Sequence, residues 1–404
     1  MSFIPVAEAR RAAPAYQGLA LFAYGFRPFF LLCGVQAVLA LALWLAVLGG
    51  AFDYAGPWDG ARWHMHEMLF GFAGAAIGGF LLTAVPSWTG GRGYAGRPLV
   101  GLVGLWLAGR LALNPWAPLP PVPAAIVDVA FFPALALTLL PSLLRSANRR
   151  NYPFLGLLAL LAVGNLLCHL DAAGWGTWDA GILLVVDTVL LMVVMVGGRI
   201  VPSFTSSAMK RAGTPVEITP RPWLERAALT SLLAMLVTDQ MAPGGIAPGA
   251  AAGIAAALAA ARLAGWKGWR TLSQPILAVL HLGYAWVPVG LSLKALWLLG
   301  GFHFAAAWLH AVTLGAFGTM ILAVMSRAAL GHTGREVVAA PATEAAYLLL
   351  AVAVLARVAV PALPNGLYGP ALVVAGLGWV GAFALFTWIY APILAQARAD
   401  GRPG

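Results

Sequence analysis

Long apolar runs, broken at short intervals by proline, glycine and clustered charge, follow one another along the whole chain. A helix needs roughly 20 apolar residues to cross a hydrocarbon layer about 30 Å thick. The runs predict twelve such spans, at 27–50, 66–87, 98–115, 122–143, 153–170, 180–201, 223–240, 246–264, 273–299, 304–327, 342–362 and 368–393. The breaks between them, such as "WTGGRGYAGRP", "RSANRRNYP" and "KRAGTPVEITPRPW", carry turn chemistry. The ten-residue alternating segments of a membrane β-barrel do not occur. The expected fold class is therefore an all-α polytopic membrane protein, a bundle of about twelve transmembrane helices. Residues 27–395 make up its membrane domain, with a segment 1–26 before it and a tail 396–404 after it.

Composition sharpens this picture. Hydrophobic residues make up 61% of the 404, and charged residues only 9%, against about 25% charged in an average soluble domain. The net charge of +10 does not form one patch, so nucleic acid is not an expected partner and the lipid bilayer is. Arg92, Arg97, Arg145, Arg149, Arg150, Lys210, Arg211, Arg221, Lys267, Arg270 and Arg335 all fall in loops on one side, while the opposite loops hold little beyond Arg62. The excess of basic residues in cytoplasmic loops then places both termini in the cytoplasm. No cleavable signal peptide is expected, because the first apolar run is too long and lacks a small-residue cleavage site. Cys33 and Cys168 lie inside apolar runs and read as buried thiols rather than a disulfide.

A weak internal repeat links two of the spans. "HEMLFGFAGAAIGGFLLTAVPSWTG" from His66 aligns without gaps on "HAVTLGAFGTMILAVMSRAALGHTG" from His310, matching His on His, Gly71 on Gly315, and Thr89-Gly90 on Thr333-Gly334. "VPSFT" at Val201 echoes "VPSWT" at Val85. Repeats are common in membrane folds, although glycine-rich apolar helices also resemble one another by chance.

Ionisable residues inside a membrane are costly and mark function by default. Topology puts His64, His66, His169, His303 and His310 toward the outer half, with His281 and His332 nearer the inner side. Neutral imidazole is the commonest protein ligand for haem iron and copper, and small residues leave room between helices for a flat macrocycle. His303 and His332 read first as water-facing side chains, His281 and His310 as ligands. His64 and His66 point to roughly opposite sides if their segment is helical, so that only one faces the bundle, and share a side if the entry is extended, so that both serve one site. Glu67, beside them, is a candidate proton relay or partner to an imidazole, and equally a solvated helix-start residue. Tyr284, one turn beyond His281, is a candidate hydrogen-bond or proton donor, or simple packing. Asp187 is expected to pair with Arg199 or another arginine. Methionines such as Met65, Met68, Met192, Met195, Met209, Met320 and Met325 suit copper(I) chemically but mostly read as packing. No CxxCH haem-attachment sequence is present, so any haem is held non-covalently, as a haem b.

The stretches "YGFRPFFLL" from Tyr24, "WHMHEMLFGF" from Trp63, "GFLLTAVPSWTG" from Gly79, "GGRIVPSFT" from Gly197, "HLGYAWVP" from His281 and "ALGHTGR" from Ala329 resemble the NnrS family across nearly the whole chain. That resemblance implies a twelve-span protein of the bacterial inner membrane, containing haem and copper, in nitric oxide metabolism and defence against nitrosative stress beside denitrification. It leaves open which histidine holds which metal. The expectation is a nitric oxide reductase-like oxidoreductase, forming nitrous oxide with electrons from a quinol or a cytochrome. One or two haems are expected, with His281 and His310 as ligand candidates and His332 and Arg199 as further cofactor-binding candidates. His281 and His310 flank one haem or bind one each. His64, His66 and His169 are candidates for copper or the second haem, with Glu67 and Tyr284 as catalytic candidates. A haem protein that binds or senses nitric oxide without turnover is the alternative, and a secondary transporter a third.

Overall fold

The structure, a computed structural model, describes residues 18–146 and 149–401; the first 17 residues of the expected N-terminal segment and the last three of the tail lie outside these. The described residues form helices and no strands. Twelve helical elements follow in order: α1 (Phe26–Leu48), α2 (Gly60–Thr89), α3 (Arg97–Ala112), α4 (Pro121–Arg145), α5 (Arg149–Ala172), α6 (Trp178–Arg211), α7 (Pro222–Met241), α8 (Ile246–Gly265), α9 (Pro275–Gly300), α10 (His303–His332), α11 (Pro341–Ala359) and α12 (Asn365–Ala395). Ten of these stretches are long and apolar enough to cross a membrane. The exceptions are α3, which has only 16 residues, and α7, which carries Glu225, Arg226 and Asp239. The chain is thus an all-α polytopic membrane protein, with ten such helices among the described residues where twelve spans are expected, α3 and α7 being too short or too charged to count.

Local sequence explains many of the helix ends. Proline opens α4, α7, α9 and α11, a position where its missing N–H is not needed and its fixed φ is already helical. Asp59 caps α2 by accepting a hydrogen bond from the Arg62 N–H at 2.8 Å. At the other end, Gly90 adopts φ 68°, and Gly334 past α10 adopts φ 72°; a side chain would strain both turns. α1 packs between α2 and α12, α5 pairs with α6, α8 with α9, and α11 with α12. Apolar side chains such as Leu111, Leu166, Leu355 and Trp388 stay exposed on the outside, as lipid-facing surfaces require.

The repeat has a structural counterpart. Immediately after His66, the turn widens into a π-helix over Glu67–Ala73; immediately after His310 it does so over Ala311–Gly318. Such segments are rare and frequently mark functional sites. They interrupt the regular ladder, and neighbouring groups supply bonds: Trp106 Nε1 donates to Gly71 O at 3.2 Å, and Cys33 Sγ to Phe72 O at 3.4 Å. Gly71 and Gly315 also permit close approach at matching positions. A Cβ on Gly71 would lie 2.7 Å from Gln36 Nε2, and one on Gly315 would lie 2.8 Å from the Trp286 ring.

Asp187 does not pair with Arg199. Its nearest basic group is Lys294 Nζ, at 3.7 Å. Arg199 instead donates to Asn151 Oδ1 and the Arg150 carbonyl and lies over the rings of Trp88 and Phe154.

Candidate functional site

Helix α2 separates two sites. At 100° per residue, His64 and His66 leave the helix on opposite sides, and the structure uses both faces.

On one face His66 enters a buried polar cluster. Its Nε2 lies 3.0 Å from Asn165 Oδ1 and 3.2 Å from Asp128 Oδ2. His169 Nε2 approaches the same Asp128 oxygen at 3.1 Å, and Asn165 Nδ2 donates to it at 2.9 Å. Arg110, from α3, bridges two acids: it donates to Glu67 Oε1 at 2.5 Å and to Asp128 Oδ1. Gln36 Nε2, from α1, donates to the second Glu67 oxygen at 2.6 Å, and His66 Nδ1 lies 3.4 Å from Glu67 Oε1. Five helices therefore contribute, and His66, Glu67, Asp128, Asn165 and His169 are all at most 7% exposed.

Aromatic rings roof this cluster. Trp58, in the loop before α2, stacks on His66 with ring centres 4.8 Å apart and lies 5.2 Å from His169. Its Nε1 donates to the Cys168 carbonyl at 3.2 Å, which fixes the indole. Tyr54, in the same loop, has a buried hydroxyl without a hydrogen-bond partner. Burial, and then the carboxylates of Glu67 and Asp59, push its ionisation upward, so it remains a neutral phenol.

The charge balance bears on what the cluster can do. Glu67 and Asp128 bring two negative charges and Arg110 one positive, so with neutral imidazoles the buried group is one charge negative. A proton on an imidazole or a metal cation restores balance. One ligand-capable atom from each of His66, Asp128 and His169 lies within 4.8 Å of the other two. Two imidazoles and a carboxylate form a donor set suited to transition metals, copper among them.

The other face of α2 lines an apolar cavity of about 330 Å³, the size range of small-molecule sites. His64 and His310 both line it, with Met65, Met68, Phe72, Phe317 and Trp379 among its walls. Trp44 stacks on His64 with ring centres 5.3 Å apart, and His64 Nδ1 is buried without a partner. Thr313, Arg357 and Tyr368 supply the remaining polarity. No carboxylate among the described residues pairs with Arg357.

The structure thus joins His66 to His169, and His64 to His310. His281 does not line the cavity with His310: its Nε2 lies 2.9 Å from Thr205 Oγ1, and its ring packs beside Trp266 and Gly268. Tyr284, near it, is buried with its hydroxyl accepting from Arg262 NH1 at 2.5 Å, and Arg262 pairs with Glu225. His332 stacks on Tyr24, with ring centres 6.3 Å apart, and its carbonyl accepts from Arg398. His303 is exposed at the start of α10. None of these, nor Arg199, reaches either site.

Sequence reasoning passed over Asp128, Arg110, Asn165 and Arg357. Their signal was a lone polar residue within an apolar run, as in "PAAIVDVAFF", "LWLAGRLAL" and "LLALLAVGNLLC". A comparison with curated proteins finds no match. The model of the family described as NnrS protein matches residues 20–398, most of the 404-residue chain, and the protein belongs to the NnrS family.

Proposed function

We propose that this protein sits in the bacterial inner membrane with both termini in the cytoplasm, binds haem and copper, and reduces nitric oxide to nitrous oxide. Membership of the NnrS family supports a nitric-oxide-related membrane protein. The finer reading is carried by one observation: His64 and His310 share an apolar cavity, and the histidine next to His64 on the opposite face of α2 belongs to a His–Asp–His cluster.

The cavity fits a haem b in kind. It offers two imidazoles, one with a buried nitrogen lacking a partner, apolar and aromatic walls, and an arginine without a carboxylate. One of His64 and His310 would hold the iron, and Arg357 would hold an acidic edge of the macrocycle. His66, Asp128 and His169 fit copper through their two nitrogens and one oxygen, with the positive charge the cluster is short of. Haem and copper together would supply a place for nitric oxide and a route for electrons.

The protein's own groups supply the rest. Reduction of two nitric oxide molecules consumes two electrons and two protons and releases one nitrous oxide and one water. The electrons come from a quinol or a cytochrome. Nitric oxide is small and uncharged and partitions readily into apolar walls such as those of Leu69, Phe72 and Phe317. Glu67, held by Gln36 and Arg110 and touching His66, is the group placed to pass protons through the cluster. Trp58 covers the imidazoles of the cluster.

A second reading has its own support. With His64 and His310 both taken up in holding a haem, the group would supply capture of nitric oxide or electron transfer rather than turnover. One experiment separates the readings: anaerobic nitric oxide consumption by the purified, reduced protein, with nitrous oxide, haem and copper measured in the same sample. Steady nitrous oxide formation, lost in His310→Ala and His64→Ala, is expected. Tight binding without turnover would instead make the protein one that captures nitric oxide. Absence of haem from a folded, membrane-expressed preparation would overturn both.

A further inference from the structure

A second buried charge cluster shares no residue with either site. Lys294 on α9 donates its ammonium to Asp239 Oδ2 on α7 and lies 3.7 Å from Asp187 Oδ1 on α6. The three side chains are at most 2% exposed. Neither oxygen of Asp187 has a hydrogen-bond partner. Both acids thus face the one ammonium, Asp239 in direct contact and Asp187 at 3.7 Å. The ring of Trp308, on α10, closes over the ammonium at 4.7 Å.

The count of charges is the decisive point. Two carboxylates and one ammonium leave one negative charge without compensation where water does not reach, and an unpaired carboxylate in such a place is heavily penalised. Two such acids do not both stay ionised; one takes a proton that the pair then shares. A proton on Asp187 gives that carboxyl a donor, and its facing acceptor is Asp239. A metal cation answers the charge less well. It requires several oxygen ligands, whereas the site supplies two carboxylates and an ammonium that repels it.

We infer that Asp187 and Asp239 hold one exchangeable proton between them beneath the ammonium of Lys294. The facing charges are Asp239 from α7 and Lys294 from α9; α10 contributes the Trp308 ring, which does not titrate, and α5 meets α6 through Gly164, Gly181 and Val185. Asp187 follows Val186, which lines the cavity, and Trp308 stands two residues before His310. The pair is thus a proton store directly behind the cavity wall. Its existence does not depend on what the cavity binds.

Infrared spectroscopy of the purified full-length protein, with exchange from water into heavy water, tests the assignment. A protonated carboxyl gives a carbonyl band that shifts on deuteration. Asp187→Asn and Asp239→Asn should each abolish this component, because one acid beside one ammonium is already neutral. Lys294→Met, which leaves two acids and no base, should raise it about twofold. The two asparagine variants are independent, so a folding failure in one leaves the other to decide. An identical band in wild type and in either folded asparagine variant would overturn the proposal. So would a band that disappears when sodium chloride replaces choline chloride, since a sodium ion would then hold the place of the proton.

Discussion

His66 and His169, on α2 and α5, address one and the same oxygen: their Nε2 atoms lie 3.2 and 3.1 Å from Asp128 Oδ2. Asp128 thereby ties together α2, α3, α4 and α5, since Arg110 holds its other oxygen. Removing it should cost stability well beyond a surface substitution. Asp128→Ala leaves the Arg110 guanidinium facing Glu67 alone, removes the partner of His169 Nε2 and leaves His66 Nε2 with Asn165 only. Breaking a buried ion pair on one side costs about 3–5 kcal/mol. Unfolding in detergent, followed by circular dichroism, should show a loss of that size. A change below about 1 kcal/mol, the level of an exposed ion pair, would mean that the network does not organise this half of the bundle.

Glycine at the first π-helical turn has a separate role, which a pair of substitutions isolates. A Cβ at Gly71 would lie 2.7 Å from Gln36 Nε2, 3.1 Å from Glu67 Oε2 and 3.2 Å from Arg110 NH1. Gly71→Ala should therefore push apart the groups that hold Glu67 and lower the melting temperature. A Cβ at Gly104, on α3, would meet nothing within 4 Å. Gly104→Ala should leave the melting temperature unchanged or raise it, since alanine favours a helix over glycine by roughly 0.5–1 kcal/mol. Equal effects from the two would remove the special standing of Gly71.

The helices were legible in the sequence because membrane length and hydropathy act locally, and each span declares itself without reference to the others. The shared register of His66 and His310 was also readable, as the gapless match of two segments, though not the π-helices that follow both. The partnership of histidines was not. His281 and His310 sit on consecutive helices, which suggests proximity, yet His310 meets His64, from the far end of the chain, while His281 finds Thr205. Pairing across helices depends on how each is rotated and tilted, and helices that are apolar all round carry little periodicity to fix that rotation. The pairing of Asp187 with Lys294 rather than Arg199 escaped the sequence for the same reason. The isolated charges of Arg110, Asp128 and Lys294 within apolar runs, passed over in the sequence, carry that information, because burying each demands a partner.

If the cavity between His64 and His310 takes haem, the histidines should separate cleanly by their effect on the bound pigment. His64→Ala and His310→Ala should each lower haem content or move the Soret band, measured per mole of protein. His281→Ala, whose ring lies against Thr205 and Trp266, should retain both. Loss of haem on replacing His281 with the other two variants intact would transfer the cofactor to the opposite part of the bundle.

Arg357 offers a milder and more specific probe of the same cavity. Its guanidinium lines the wall that carries His64 and His310, and it faces no carboxylate of the described residues. A structural arginine would already have such a partner; an arginine that awaits an anionic ligand would not. Arg357→Gln removes the charge but keeps a long hydrogen-bonding side chain, so the fold should persist with an unchanged melting temperature in the absence of ligand. Haem retention during dilution in detergent should fall, by about tenfold if one charge-assisted hydrogen bond worth roughly 1.5–3 kcal/mol is weakened rather than abolished. Arg357→Lys should recover part of the loss, because it restores the charge without the planar fork. Retention equal to wild type in Arg357→Gln would mean that the arginine does not touch the bound group.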